Sequence, residues 1–359
     1  MTSTDTQSVH QRPKLVLGCM EFGRLQPLDV SHQMINSYIE LFKSSNAYKS
    51  QTLEFDTAYV YGGQFGISED ILGKLDDNIK KQILFHTKAN AKAKQNPSLS
   101  KESVLIQCKE SLERLQLESV HSPPLDIYYL HAPDPNTPIE ETLSAINELY
   151  KQGKFKRFGV SNYKSWEVAE IYYICKINNY VLPTVYQGMY NLIARDAELE
   201  LLPCLRKLGI SFYAYNPLGG GLLTGRYEYS QGDISHKEDI PEGRFTAPIV
   251  GDLYRERYWK KSIFEAIDMI KQAVNEYNQQ NQSNLTLTEV AFRWDNYHSK
   301  LSGQYGDAIL MGSSKPEYLI ANTKFLAIES PLPESILSAI ESGYQHCKQD
   351  VARHWPIFK

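Results

Sequence analysis

Eight short, densely apolar segments, each followed by a longer amphipathic stretch, predict a (β/α)8 TIM barrel for this 359-residue chain. Two further observations support that fold class. Eight is the number of strands that closes a parallel barrel. An open doubly wound sheet wants a Gly-x-Gly-x-x-Gly turn after an early strand, and the chain has none there. The expected organisation is a flexible polar segment, residues 1–13, and one barrel domain, residues 14–359. A long loop and an extra helix are expected after the seventh strand.

The expected strands, in order, are Lys14–Leu17, Leu53–Asp56, Ile83–Thr87, Asp126–Leu130, Arg157–Val160, Thr184–Tyr186, Ser211–Ala214 and Ala308–Met311. Each is short and lacks strict alternation, which suits parallel strands buried on both faces. Helices are expected between them. Asp29–Ser45 shows a 3.6-residue apolar spacing, and Ser68–Leu75 opens on Ser68. Lys101–Leu115 follows Ser100, a good N-cap, and Pro138–Gln152 runs from a first-turn Pro to Gly153. Ser165–Asn178, Glu198–Leu208, Thr288–Tyr297 and Lys315–Lys324 follow the same plan. Gly225–Ser283 interrupts the alternation and holds the extra helix at Lys261–Tyr277.

Composition narrows the function classes. The chain is 42% hydrophobic and 22% charged, values typical of a soluble globular protein. A net charge of −4 with scattered Lys and Arg argues against a nucleic-acid surface. No apolar run approaches the ~18 residues of a membrane span. Met1–Pro13 has no apolar h-region and a single Arg, which argues against secretory and mitochondrial targeting. Five cysteines, none at CxxC spacing, argue against a disulfide framework or zinc site and for the reducing cytoplasm. The sequons at Asn281 and Asn284 are read as chance matches, and no metal is expected.

The polar residues at the strand ends carry the chemistry. The second strand ends in Asp56 with Tyr61 beyond it, the third precedes Lys88, and the fourth precedes His131. Ser161 and Asn162 follow the fifth, Gln187 the sixth, Tyr215 and Asn216 the seventh, and Gly312, Ser313 and Ser314 the eighth. In a (β/α)8 barrel these ends meet on one rim, where active sites lie. A Tyr near its ordinary pKa of ~10 is a poor match to neutral pH. A neighbouring ammonium, Lys88, is expected to lower it, and Lys88 needs a carboxylate, Asp56, to stay charged when buried. Neutral His131 suits a hydrogen bond to a substrate carbonyl. Any one such residue in a loop is commonly structural; the weight lies in four consecutive strand ends.

The segment Asp56-Thr57-Ala58-Tyr59-Val60-Tyr61-Gly62 resembles the aldo-keto reductase signature. Leu130-His131, Gly159-Val160-Ser161-Asn162 and Tyr215-Asn216-Pro217-Leu218 sit where that family has matching segments. The resemblance runs from about Lys14 to the C-terminus and is nearest the aflatoxin-aldehyde reductase subfamily, which also reduces succinic semialdehyde. Leu130-His131-Ala132-Pro133-Asp134 and Pro183-Thr184-Val185-Tyr186-Gln187-Gly188-Met189-Tyr190-Asn191 carry the nearer likeness. It implies reduction of aldehydes by NADPH held without a Rossmann motif. Asp56, Tyr61, Lys88 and His131 match the family's catalytic tetrad, with Tyr61 the general acid.

Ser161, Asn162 and Gln187 match its nicotinamide carboxamide contacts, and Tyr215 matches the aromatic that stacks on the nicotinamide. Asn216, Pro217, Leu218, Gly220 and Gly221 match its pyrophosphate loop. Independently, a Gly219-Gly220-Gly221 backbone can approach a diphosphate closely. Arg226, Arg244, Gly312, Ser313, Ser314, Tyr318 and Asn322 fall on cofactor segments, with Tyr318 where many members carry Arg. Met20, Tyr254 and Arg257 fall on the substrate side, beside Tyr61 and His131. Arg257 matches a substrate-carboxylate arginine, and Arg suits that fork geometry; ordinary ion pairing of Arg255 and Arg257 is the plain alternative. Lys359 stands where the subfamily ends in Arg, keeping the charge without the fork. The subfamily's dimers imply a homodimer.

Two other functions fit parts of the pattern. A channel β-subunit-like regulatory protein would bind NADPH with little turnover. A barrel lyase using Lys88 as a Schiff base would leave Tyr61, Ser161, Asn162 and Tyr215 without roles.

Overall fold

In the computed structural model, described over residues 11–63, 65–91, 98–229, 240–247 and 250–355, eight parallel strands close into one barrel in sequence order. They are β1 Lys14–Gly18, β2 Leu53–Asp56, β3 Ile83–Ala89, β4 Leu125–Leu130, β5 Phe155–Ser161, β6 Pro183–Met189, β7 Ser211–Tyr215 and β8 Ala308–Met311. β8 pairs with β1 from Lys14↔Ala308 to Leu17↔Met311, which closes the ring. β3, β5, β6 and β7 run past their expected ends because the ladders continue: Lys88 pairs with Tyr129, Ser161 with Gln187 and Met189 with Tyr215. Polar side chains interrupt the apolar run there, yet the backbone stays in the sheet.

The helices are α1 Leu28–Ser44, α2 Ile67–Gly73, α3 Asp77–Lys80, α4 Lys101–Leu115, α5 Ile139–Lys151, α6 Ser165–Ile177, α7 Leu201–Leu208, α8 Gly251–Tyr258, α9 Lys261–Asn281, α10 Leu287–Tyr297, α11 Pro316–Leu326 and α12 Glu334–Cys347. α1 turns Met34, Ile35, Tyr38, Ile39 and Phe42 inward to the core. None of the helices is long and apolar enough to cross a membrane. α3, α8 and α12 have no counterpart among the expected helices. α12 carries a readable signal, with Ile336, Ile340, Gly343 and Cys347 on one buried face. It packs on α9 so closely that a Cβ on Gly343 would lie 3.0 Å from the Ala266 carbonyl oxygen. The segment expected to be flexible is docked at its end: Gly303 N–H donates to the Gln11 carbonyl at 2.7 Å, and Arg12 pairs with Glu329. Residues 1–10 lie outside the described residues.

Inside the barrel, Val16, Ile127, Tyr129, Val185, Tyr213, Ala308 and Leu310 form a small apolar cluster. Below it lies a buried ionic network. Lys14 Nζ bonds Glu54 at 2.7 Å and the Tyr213 hydroxyl at 2.9 Å, and Arg157 pairs with Asp126. His86 Nε2 sits 3.4 Å from both carboxylates. The Glu54, His86 and Asp126 ligand atoms lie within 4.8 Å of one another. Lys14 and Arg157 already neutralise the two acids, so the network closes on itself.

Candidate active site

The opposite rim, at the C-terminal strand ends, gathers the predicted residues. β2 ends on Asp56 and β3 carries Lys88, both buried, with Lys88 Nζ donating to Asp56 Oδ2 at 2.6 Å and to the Thr57 carbonyl at 2.7 Å. Gln187, at the mouth of β6, donates to Asp56 Oδ1 at 2.8 Å. Both carboxylate oxygens are therefore occupied, which is what a buried charge needs.

Tyr61 stands above this pair. A tight turn holds it, with Tyr61 N–H on the Ala58 carbonyl at 3.0 Å and Ser68 N–H on the Tyr61 carbonyl at 3.2 Å. Gly62 completes the turn at φ +98°, where a Cβ would meet the Phe22 carbonyl oxygen at 2.9 Å. Lys88 Nζ lies under the Tyr61 ring, 4.8 Å from its centroid. The His131 ring meets it edge-on at 5.5 Å.

The electrostatics differ from expectation at one point. Burial, then the Asp56 charge, push the Tyr61 hydroxyl well above its ordinary value. The Lys88 ammonium, committed to Asp56 and facing the ring, does not bring it back to its ordinary value. Lys88 itself is held below its usual range by burial, against the pull of Asp56. Burial first and the Lys88 charge second bring His131 down to about 3, so its imidazole is neutral at physiological pH.

The strand ends beyond bring in the remaining residues. Asn162, at φ +65°, donates from Nδ2 to the His131 carbonyl at 2.9 Å and to Ser161 Oγ at 3.0 Å. Tyr215 donates to Asn162 Oδ1 at 2.7 Å. Asn216, at φ +60°, accepts at Oδ1 from the Tyr254 hydroxyl at 3.0 Å. Pro217 and Leu218 lead into a 3-10 turn, Gly219–Thr224. There Gly219, Gly220 and Gly221 all have positive φ, and a Cβ on Gly220 would lie 2.5 Å from the Tyr254 ring. Met20 follows β1, half-buried.

The loops add a part that the sequence does not announce. Glu21, buried just after β1, pairs with both Arg24 and Arg244, and Gln26 donates to the Ser314 carbonyl. A lone Glu in a loop gives no sequence signal of its partners. Further out, Arg226 bonds the Tyr227 hydroxyl, Asn322 Nδ2 donates to Ser313 Oγ at 3.2 Å, and Lys315 lies over the exposed Tyr318 ring. Gly312 packs beside Gly18.

Arg255 and Arg257 differ sharply. Arg255 pairs with Asp252 and bonds the Phe245 carbonyl. Arg257 is only 8% exposed, faces Tyr215, Tyr254 and Tyr258, and has no carboxylate partner among the described residues. Lys359 lies outside the described residues.

The rim fits a ligand bearing amide and phosphate acceptors. Asn216 Nδ2 and Arg244 Nη1 are buried donors without a partner among the described residues, and His131 Nδ1 is likewise unpartnered. Buried polar groups of this kind normally find one. The glycine turn offers backbone at close range after β7, where barrels commonly bind phosphates.

The profile of the aldo/keto reductase family matches residues 14–344. Rat aflatoxin B1 aldehyde reductase member 2 is 43% identical over 336 residues, covering 93% of this chain and 85% of the relative. Human aldo-keto reductase family 7 member A3 is 42% identical over 336 residues, covering 93% and 94%. Aldo-keto reductase pigE of Monascus ruber is 34% identical over 313 residues, covering 84% and 85%. A closed eight-stranded parallel barrel and likeness along nearly the whole chain agree: this protein is an oxidoreductase of the aldo/keto reductase family.

Proposed function

We propose that the protein reduces aldehydes to alcohols with NADPH, Tyr61 acting as general acid and acidic aldehydes being preferred. The observation that carries the chemistry is the buried Asp56–Lys88 pair beneath a protonated Tyr61, with neutral His131 across from it. Ser161, Asn162 and Tyr215 would hold the nicotinamide, the Gly219–Gly221 turn the pyrophosphate, and Arg226, Lys315 and Asn322 the adenosine end. When bound, the nicotinamide supplies the hydride that joins the carbonyl carbon.

His131 and Tyr61 orient the carbonyl oxygen by hydrogen bonds, which strengthen as negative charge grows there. Tyr61 then gives its proton to that oxygen, forming the alcohol. The transfer is downhill even for a phenol with a raised pKa, because an alkoxide is a stronger base than a phenolate. Lys88, through Asp56 and the Thr57 carbonyl, is held where its charge stabilises the phenolate left behind, and solvent restores the proton.

Arg257, with no carboxylate partner among the described residues, supports the preference for acidic aldehydes. A buried guanidinium without a counter-ion is costly, and a substrate carboxylate would satisfy it bidentately. The five free cysteines suit a cytoplasmic setting, and likeness to the family supports a homodimer.

The test is Tyr61→Phe. Turnover of 4-nitrobenzaldehyde should fall at least ~100-fold, within the range for losing a general acid, while NADPH affinity followed by fluorescence changes less than threefold. Unchanged turnover would remove Tyr61 from the mechanism. NADPH binding with no oxidation in the wild type would favour a regulatory protein instead.

A further inference from the structure

The three tyrosines around Arg257 are each tied elsewhere. Tyr254 donates to Asn216 Oδ1 at 3.0 Å, and the Tyr258 oxygen accepts from Asn191 Nδ2 at 3.2 Å. Tyr215 is different in what it reaches. Its hydroxyl faces the Arg257 guanidinium, and its proton goes to Asn162 Oδ1 at 2.7 Å. Asn162 in turn donates to the His131 carbonyl. A buried cation with no carboxylate partner among the described residues thus faces a hydroxyl that is hydrogen-bonded to Asn162.

We infer that the Tyr215 hydroxyl is a positioning group that couples carboxylate binding at Arg257 to the orientation of the Asn162 amide. The inference rests on the reading that Arg257 receives the substrate carboxylate. Asn162 is the residue to be steered, because it is in the left-handed region and holds two acceptors in place through one amide. Its amide has two orientations that differ by exchange of oxygen and nitrogen. With Oδ1 accepting from Tyr215, only one leaves Nδ2 on the His131 carbonyl. A Tyr has a single hydroxyl proton, so its direction is set by whatever donates to the oxygen. A carboxylate gripped by both arms of Arg257 fixes the guanidinium plane and so the positive charge facing the Tyr215 oxygen, which keeps the hydroxyl proton turned to Asn162. Chains of this kind also polarise one another. The ring of Tyr215 is available for stacking in any case; the hydroxyl adds the link between substrate charge and cofactor pocket.

The variant that isolates the link is Tyr215→Phe, which keeps the ring. The first measurement uses cofactor-free protein with 15N-labelled asparagine, titrated with succinate. In the wild type, succinate should shift the Asn162 side-chain amide resonance. In Tyr215→Phe, succinate should still bind within about threefold of wild type, with the Asn162 shift lost. Arg257→Gln should lose succinate binding itself. The second measurement compares kcat/KM for 4-carboxybenzaldehyde and benzaldehyde in the presence of NADPH. Tyr215→Phe should lower the ratio about tenfold, the order expected for one hydrogen bond to a charged group, and should add little in the Arg257→Gln background. An Asn162 shift that persists in Tyr215→Phe, or equal losses for both aldehydes, would overturn the coupling. Undiminished succinate binding in Arg257→Gln would instead overturn the carboxylate reading on which it rests.

Discussion

Replacing Asp56 with Asn strands the Lys88 ammonium, which is wholly buried, on neutral acceptors such as the Thr57 carbonyl, with no counter-charge. At 2.6 Å and an effective dielectric near 20, the lost attraction is on the order of 6 kcal/mol. Part of it is recovered when Lys88 gives up its proton, a step its lowered pKa makes easier. The net loss for breaking such a buried pair from one side is about 3–5 kcal/mol. Lys88→Met leaves Asp56 charged with only Gln187 Nε2 at 2.8 Å, and a loss of similar size is expected. The double variant Asp56→Asn, Lys88→Met has no buried charge left to strand. It should be no less stable than the worse single variant, giving a coupling energy of at least about 3 kcal/mol. Equilibrium urea unfolding of the four cofactor-free proteins at pH 7 measures it. Additive losses, with a coupling under about 0.5 kcal/mol, would refute the claim that these residues act as one buried ion pair.

The floor network predicts a pH dependence. Burial, the largest influence on His86, works to lower its pKa, but the Asp126 and Glu54 carboxylates, each 3.4 Å from Nε2, raise it overall. A raised value means stability fully present below the unfolded pKa of about 6.5 and lost as pH rises through the folded value. The loss is ~1.4 kcal/mol for each pH unit separating the folded and unfolded values. Urea midpoints should fall over that window in the wild type and not in His86→Gln. Glu54 works the other way: burial would raise it, yet His86 and Lys14 together bring it down to about 2. Its contribution is present above about pH 4.3 and lost as pH falls toward 2. Gly220→Ala places a Cβ at φ +71° against the Tyr254 ring; about 1–2 kcal/mol of stability and at least tenfold in NADPH affinity should go, by urea unfolding and fluorescence titration. Arg226→Ala should weaken NADPH about tenfold and leave NADH unchanged if Arg226 meets the 2′-phosphate. In the cofactor-free protein, NMR should find His131 neutral from pH 5 to 8, since it titrates near 3.

The periodicity of apolar residues determined the barrel by itself. Each strand is a local apolar run and each long helix a local 3.6-residue pattern, so element type and order were written in neighbouring residues. The tight turn after β2 and the glycine run after β7 were likewise local, which is why Tyr61 and Gly219-Gly220-Gly221 stand out in the sequence. Tertiary structure decided what lies between elements distant in the chain. Gln187 and Asp56 are 131 residues apart and meet at 2.8 Å; Glu21 meets Arg244 across the rim. Charge state follows from such meetings. Sequence neighbours alone point to a Tyr61 lowered by Lys88, and burial with Asp56 raises it instead, because the direction in which an ammonium points is a property of packing. The same holds for Arg255 and Arg257, two residues apart in sequence. On α8 their side chains leave in different directions, and among the described residues only Arg255 meets a carboxylate.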